Sequence, residues 1–420
     1  MNFRPNPLLY GAHEDFLSSF KLVVTMRDNI DYERFSCAVR TAMKRYPYFC
    51  ICPKVIGDEI LLETNEAPVA VFEDDRCVTL GTDESNGHLL AFGIDGRTII
   101  LHVSHYIADG MGICPLLMTV LYVYISEMYG TEGINPARIL MPDDPVRDDE
   151  YAYPFPEEAD LSDCTESFVQ RGNDVYSLNP DEFDDLGLYA YHLRIPQSSM
   201  MEVANPSDGS PASFLSVMLY RALHALDSEL DKQIVAHVQH QYRAAIKVPY
   251  NRHSLVSYIP VALSPKLKDR RVELQNTIMR GQIIIGSESE DDMQDIGRLI
   301  SVIPPQANMS LAEKKMAMRK YIENSICGKT FGISYVGKID WCGMDRYIED
   351  LHAYIGEKHT KNMLLIEVMT VGADFSINFM QSGRGNRYVD AFMKQLRSFN
   401  IPVQLIGEER YTLCDTKIPQ

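Results

Sequence analysis

The sequence lacks the features that mark several specialised protein classes. Its nine cysteines are scattered without a Cys-x-x-Cys pair, which fits a reducing compartment better than a disulfide framework. No apolar stretch approaches the length of a membrane span, and the amino terminus lacks the apolar core of a signal peptide. We therefore expect a cytoplasmic protein without a membrane span.

Positive charge is also scarce. The chain has 40 Lys and Arg residues against 58 Asp and Glu residues, for a formal net charge of −18. Nucleic-acid recognition needs a basic surface, so this balance excludes a nucleic-acid partner. The sequence has no phosphate-binding loop and no dinucleotide fingerprint. His237 and His240 are three positions apart on a predicted strand, and therefore face opposite sides. We expect neither a bound metal nor a bound cofactor.

The chain of 420 residues is long for one domain, and two core-bearing units are expected. Strand and helix patterns occur in both halves, which predicts an α/β (α+β) protein. Residues 141–166 are rich in proline and carboxylates and show almost no periodic apolar pattern, which predicts a linker or crossover over residues 141–180. The predicted units are an N-terminal lobe at 1–140 and a C-terminal lobe at 181–420.

A short run at residues 105–110 carries the clearest functional pattern. The preceding segment, 98–104, is rich in β-branched residues, follows a turn, and is predicted to be a strand. An apolar helical pattern follows the run. His105 therefore lies at a strand end, where a histidine can accept a proton from a hydroxyl or amine. The alternative is an ordinary histidine followed by a plain turn at Asp109 and Gly110.

His105, Asp109 and Gly110 match the His-x-x-x-Asp-Gly motif of the chloramphenicol acetyltransferase-like superfamily. This group includes condensation domains of peptide synthesis and acyl-CoA-dependent acyltransferases. The predicted helix at 31–46, with its Arg-Tyr-Pro ending at 45–47, resembles the first helix of the family.

Two departures narrow the resemblance. Many condensation domains carry a second histidine just before the catalytic one, where this chain has Ser104. The plant branch carries an Asp-Phe-Gly-Trp-Gly motif, and the nearest run here is Asp-Phe-Ser at 374–376. The chain therefore resembles the condensation and bacterial alcohol acyltransferase branch, and acyl transfer is favoured over condensation.

The resemblance implies two chloramphenicol acetyltransferase-like lobes in a V-shaped pseudo-dimer, with the active-site channel between them. His105 would be the general base. Asp109 would be structural and would pair with an arginine, for which Arg243 is the best candidate. Gly110 would serve backbone geometry, because a side chain would crowd the turn. The candidates for lining the channel or donating to an oxyanion are Ser334, Tyr335 and Ser376, although an ordinary place in a strand is favoured for the two serines.

The predicted function is transfer of an acyl group from a thioester to a hydroxyl or amine of a small molecule. Acyl-CoA is favoured over an acyl carrier protein as donor, because the chain is acidic and carrier proteins are commonly acidic. The alternatives are a non-catalytic binding or recruitment module and a carrier-dependent condensation step. A polyanionic donor requires a local basic pocket, for which the candidates are Arg384, Arg387, Lys314, Lys315, Arg319 and Lys320.

Overall fold

The structure is a computed structural model that describes residues 2–13, 19–156, 175–179, 186–304, 308–326, 328–356 and 363–418. Its strands are β1 (Asn2–Phe3), β2 (Ser19–Met26), β3 (Ile51–Ile56), β4 (Glu59–Thr64), β5 (Val71–Phe72), β6 (Leu90–Asp95), β7 (Thr98–Ser104), β8 (Leu186–Pro196), β9 (Ile234–Gln241), β10 (Val256–Leu263), β11 (Phe331–Tyr335), β12 (Ile348–Tyr354), β13 (Leu364–Val371), β14 (Asp374–Gly383) and β15 (Gln404–Arg410). The α-helices are α1 (Tyr32–Met43), α2 (Gly110–Tyr129), α3 (Gln197–Ala204), α4 (Pro211–Leu226), α5 (Val272–Gly286), α6 (Ser289–Ser301), α7 (Leu311–Ile326) and α8 (Arg387–Ser398).

The N-terminal lobe is built on a five-stranded sheet with the order β12-β2-β7-β6-β5. Side chains alternate along β7, so Ile99, Leu101 and Val103 share one face and are fully buried. Helices α1 and α2 pack on that face and complete one hydrophobic core. A small sheet of β1, β4 and β3 lies beside it.

The C-terminal lobe is built on a seven-stranded sheet with the order β10-β9-β11-β13-β14-β8-β15. Strand β11 runs parallel to both neighbours, whereas the other pairings are antiparallel. Apolar residues of α4, α5 and α8 cover one face of this sheet and form a second core. Two sheets with two helix-covered cores confirm the predicted two-lobed α/β architecture.

One strand crosses between the lobes. Strand β12 falls within residues 181–420, which were predicted to form the C-terminal lobe, yet it pairs antiparallel with β2 in the N-terminal sheet. Its buried Leu351 joins the N-terminal core. Strand β12 thus completes the sheet and core of the N-terminal lobe. The order of elements along the chain does not reveal this pairing. The boundaries at 140 and 181 remain predictions.

The predicted linker is more closely packed than its composition suggests. Glu150 is 2% exposed and accepts two hydrogen bonds from Arg45, at 2.6 and 3.1 Å, and one from the Tyr48 hydroxyl at 2.7 Å. Leu178 is buried in the C-terminal core. The described parts of the segment therefore pack on both lobes, while its predicted residues 157–174 and 180 lie outside the described residues.

Helix α2 corrects the expectation that no stretch approaches a membrane span. Within the described chain, it is the one helix long and apolar enough to pass that test. Its residues Leu116, Leu117, Val120 and Leu121 are buried against the N-terminal sheet. Burial in this core accounts for the apolarity, so length and composition are weak evidence for a span.

Candidate active site

His105 lies in the turn immediately after β7. Its ring packs edge-on against Phe20, with 5.0 Å between ring centroids. Its Nδ1 lies 3.1 Å from the Ser254 hydroxyl and also hydrogen-bonds the residue's own backbone. A backbone carbonyl can only accept, so these contacts favour a proton on Nδ1. No hydrogen bond engages Nε2 within the described parts of the chain, which leaves its lone pair for a substrate proton.

The surroundings of His105 keep it neutral. Burial lowers the pKa of His105 below its usual value, and the negative charge of Asp109 offsets part of that effect. A neutral imidazole at physiological pH is the form that accepts a proton. The side chain nevertheless keeps part of its surface exposed, so a reactant can reach it.

Asp109 begins α2 and ties it to the other lobe. Its Oδ1 accepts the Gly112 backbone N–H at 2.8 Å, which caps the helix. Arg243 donates to both carboxylate oxygens, at 2.7 and 2.8 Å. Oδ2 also accepts the Leu255 N–H at 2.9 Å. The structure thus forms the Asp109–Arg243 pair that the resemblance implies, and both carboxylate oxygens accept hydrogen bonds within this network.

The loop after β9 closes over the motif. Arg243 donates to the carbonyls of Asn251, at 3.0 Å, and His253, at 2.9 Å, which shapes the loop that presents Ser254 to His105. The same loop packs so closely on α2 that a Cβ at Gly112 would lie 2.2 Å from the Arg252 carbonyl oxygen. Both lobes therefore contribute to the site.

The expected role of Gly110 needs correction. A Cβ at Gly110 would meet only Val336 Cγ1, at 3.5 Å, which is an ordinary contact. Gly110 already belongs to α2, so a methyl group there crowds nothing. Gly112, two residues later, is the glycine that the close approach of the loop requires.

The predicted oxyanion donors are otherwise engaged. The Ser376 hydroxyl donates to Asp350 at 2.7 Å, in a polar cluster between β12 and β14. The Ser334 hydroxyl hydrogen-bonds Glu367. Each hydroxyl has a single proton, so the structure argues against both serines as oxyanion donors. Tyr335 stays partly exposed at the end of β11, packed edge-on against Phe375.

The end of β11 reaches the motif. Val336 follows Tyr335 directly, packs against the N-terminal core, and is the residue nearest to the Gly110 position. The chain then continues across the N-terminal lobe, where the Asn135 N–H donates to the Cys342 carbonyl at 2.8 Å. The place of Tyr335 along a channel stays a prediction.

The predicted basic residues do not form one pocket. Lys314 is buried and paired with Glu59, and Arg384 pairs with Glu408 at 3.3 Å. Lys315 and Arg319 lie one turn apart on α7, where burial and the charge of Arg319 lower the pKa of Lys315. Lys320 is exposed on the same helix, and Arg387 begins α8.

Comparison with known proteins agrees with this architecture. No protein-family model and no curated protein matches the sequence. TRI101 of F. sporotrichioides, solved with coenzyme A and T-2, is 9% identical, with a TM-score of 0.57 over 97% of this chain and 100% of its own. Polyketide synthase associated protein 5 of Mycobacterium tuberculosis is 12% identical, with a TM-score of 0.59 over 94% and 96%. The condensation domain of the Monacolin K polyketide synthase MokA is 10% identical, with a TM-score of 0.58 over 95% and 96%.

These likenesses extend over nearly the whole of each chain and show the fold. The chain has the fold of the chloramphenicol acetyltransferase-like superfamily of acyltransferases and condensation domains. The resemblance inferred from His105, Asp109 and Gly110 is thereby confirmed at the level of architecture.

Sequence reasoning missed two residues, one that contacts His105 and one that engages Ser334. Ser254 belongs to a loop with no motif of its own, and only its place just before a predicted strand marked it. Glu367 is buried opposite Ser334 on neighbouring strands. Burial raises the pKa of Glu367 to about 7, and the Ser334 hydrogen bond only partly opposes this.

Removing either partner of the Asp109–Arg243 pair should destabilise the protein strongly. Asp109→Ala or Arg243→Ala leaves a buried charge without its partner, which costs about 3–5 kcal/mol of unfolding free energy. Glu349→Ala, which removes an exposed partner of Arg97, should cost about 0–1 kcal/mol. Denaturant unfolding measures all three. If Asp109→Ala unfolds at the same denaturant midpoint as the parent, the stabilising role of the buried pair is contradicted.

Glu367 should make stability depend on pH. Its folded pKa is raised from 4.5 to about 7, so the unfolded state ionises first as pH rises. As pH rises from about 4.5 to about 7, the free energy of unfolding of the parent should fall by up to about 3 kcal/mol relative to that of Glu367→Gln. Above that window the difference should stay constant. Unfolding at a series of pH values, with Glu349→Gln as the exposed control, measures this. A pH-independent difference would refute it.

Proposed function

We propose that this protein is an acyltransferase that moves an acyl group from a thioester donor to a hydroxyl or amine of a small molecule, with His105 as general base. The observation that carries the proposal is the ring of His105. Its Nδ1 is occupied by Ser254 and its own backbone, whereas Nε2 has no protein partner among the described residues. A base for acyl transfer needs that free lone pair.

The chemistry follows from this arrangement. Nε2 takes the proton of the acceptor as its oxygen or nitrogen attacks the thioester carbonyl carbon. A C–O or C–N bond forms and a tetrahedral oxyanion develops. The C–S bond then breaks, the thiolate leaves, and the imidazolium returns the proton to sulfur. The Asp109–Arg243 pair positions the turn and the loop without touching the reactants.

The structural neighbours support a thioester donor and a small-molecule acceptor. TRI101 structures contain coenzyme A together with T-2 or deoxynivalenol. Another similar structure, from work on condensation domain-mediated chain release from the enacyloxin polyketide synthase, is 13% identical to this chain, with a TM-score of 0.52. Both kinds of protein share the fold of this chain, so the fold is compatible with either donor, and the residues at the site must decide between them.

We favour acyl-CoA as the donor. A net charge of −18 opposes docking of an acidic carrier protein over a large surface. A small polyanion needs only a few cations, and Lys315 and Arg319 supply two close together on α7. This helix packs on residues 7–11, next to Asn6, whose side chain donates to the Ser254 carbonyl at 2.8 Å. Lys315 and Arg319 are thus linked, through α7 and Asn6, to the loop that contacts His105.

Replacing His105 should remove activity and preserve the fold. We expect His105→Ala to lower acceptor-dependent thiol release about 10²–10⁴-fold, because positioned proton transfer contributes that much. Release of thiol from acetyl-CoA and longer acyl-CoA, with separate pools of alcohols and amines, measures the effect. His240→Ala, a histidine paired with Asp292 in the C-terminal lobe, is the matched control and should keep parental turnover.

Equal turnover by the parent and His105→Ala would exclude the general base. Activity of the parent with carrier-bound acyl groups alone, dependent on His105, would assign the donor to a carrier protein. Binding of acyl-CoA without turnover by any acceptor would instead favour a non-catalytic recruitment module.

Lys315 and Arg319 should affect donor binding more than the chemical step. The double variant Lys315→Ala/Arg319→Ala should raise KM for acyl-CoA about tenfold or more, with kcat within about twofold, because it removes charge attraction and leaves the base intact. Lys320→Ala on the exposed face of α7 is the control. An unchanged KM in the double variant would place the donor elsewhere.

A further inference from the structure

Three side chains that can bind metal meet on the N-terminal sheet, on the face opposite α1 and α2. Cys77 follows β5, His102 lies on β7, and Cys414 follows β15. Their sulfur and ring nitrogen atoms all lie within 4.8 Å of one another. In a tetrahedral zinc site, bonds of about 2.0–2.3 Å place neighbouring ligand atoms about 3.5–4 Å apart. Small side-chain movements would therefore complete the geometry.

His102 is the observation that points to a ligand. It is 1% exposed, and neither ring nitrogen has a hydrogen-bond partner. An unpaired buried polar group is costly and calls for an explanation. A metal ion between the two sulfur atoms would give one nitrogen its missing partner.

The segment that carries Cys414 is held in place independently of any metal. The Ser19 hydroxyl donates to the Cys414 carbonyl, and the Thr416 and Ser104 hydroxyls lie 3.0 Å apart. Thr416 also pairs with Leu80 through a backbone bridge. Cys414 itself is buried among apolar side chains. Two of the three ligands are thus fixed by the fold, and the exposed Cys77 closes the site from the solvent side.

We propose that Cys77, His102 and Cys414 bind a zinc ion, with a water molecule as the fourth ligand. Two thiolates and an imidazole select zinc over magnesium or calcium, which prefer oxygen ligands. The charges of two thiolates balance the dication. The ion would tie the C-terminal tail to β7, three residues before His105. No local motif marks this site, because its ligands are 25 and 312 positions apart in the sequence.

The test is metal content and cobalt substitution in the reduced, full chain. The parent should retain stoichiometric zinc by mass spectrometry, and cobalt should produce thiolate-to-metal absorption. Cys77→Ser, whose side chain is exposed and contributes nothing to the core, should lose both signals and keep its circular dichroism. Cys37→Ser, an exposed cysteine on α1, is the matched control and should keep both. Chelation should lower the melting temperature of the parent and of Cys37→Ser, and leave Cys77→Ser unchanged.

Three outcomes would overturn the proposal. The first is a fully reduced parent that binds neither zinc nor cobalt. The second is equal metal content in the parent and Cys77→Ser, which would locate the metal elsewhere. The third is a protein purified without reductant that carries a Cys77–Cys414 disulfide and remains free of zinc after reduction. None of these measurements depends on acyl transfer, so the metal site and the proposed activity are tested separately.

Discussion

The buried ion pair between Asp109 and Arg243 is the constraint on which the site depends. It joins the helix start in one lobe to a loop of the other, through two charge-assisted hydrogen bonds. The same carboxylate caps α2 and holds the Leu255 N–H. Because a buried charge without its partner is costly, these contacts hold the start of α2 and the loop after β9 together beside His105.

Because the site lies between two lobes, several contacts join segments that are far apart in the sequence. Strand β12 from the C-terminal half completes the N-terminal sheet, and Glu150 from the predicted linker is buried beneath Arg45 and Tyr48. The Glu150 carbonyl in turn accepts the Arg252 N–H at 2.8 Å. The loop that presents Ser254 is therefore supported from the N-terminal lobe, which makes the position of His105 a property of the whole molecule.

The parts that could be predicted from the sequence are those with a local pattern. His105 could be placed at a strand end from three local patterns: the alternation along 98–104, the turn residues and the apolar helix after them. The motif residues and the placement of Arg243 after a strand anticipated the buried pair. Gly110 was assigned a crowding role that belongs to Gly112, because close approach of the loop is a long-range contact. The engagement of Ser376 could not be predicted for the same reason, since its partner Asp350 lies on the crossover strand.

By itself the sequence determined the class of elements, the two apolar cores and which histidine is proposed as the base, because these depend on periodicity and on side-chain pKa. Tertiary structure alone decided which nitrogen of His105 is free, which serines are already engaged, and that Cys77, His102 and Cys414 converge. Those outcomes depend on contacts between segments tens to hundreds of residues apart. Local sequence patterns carry no information about which distant segments meet in space. The packing of the two lobes brings those segments into hydrogen-bonding contact.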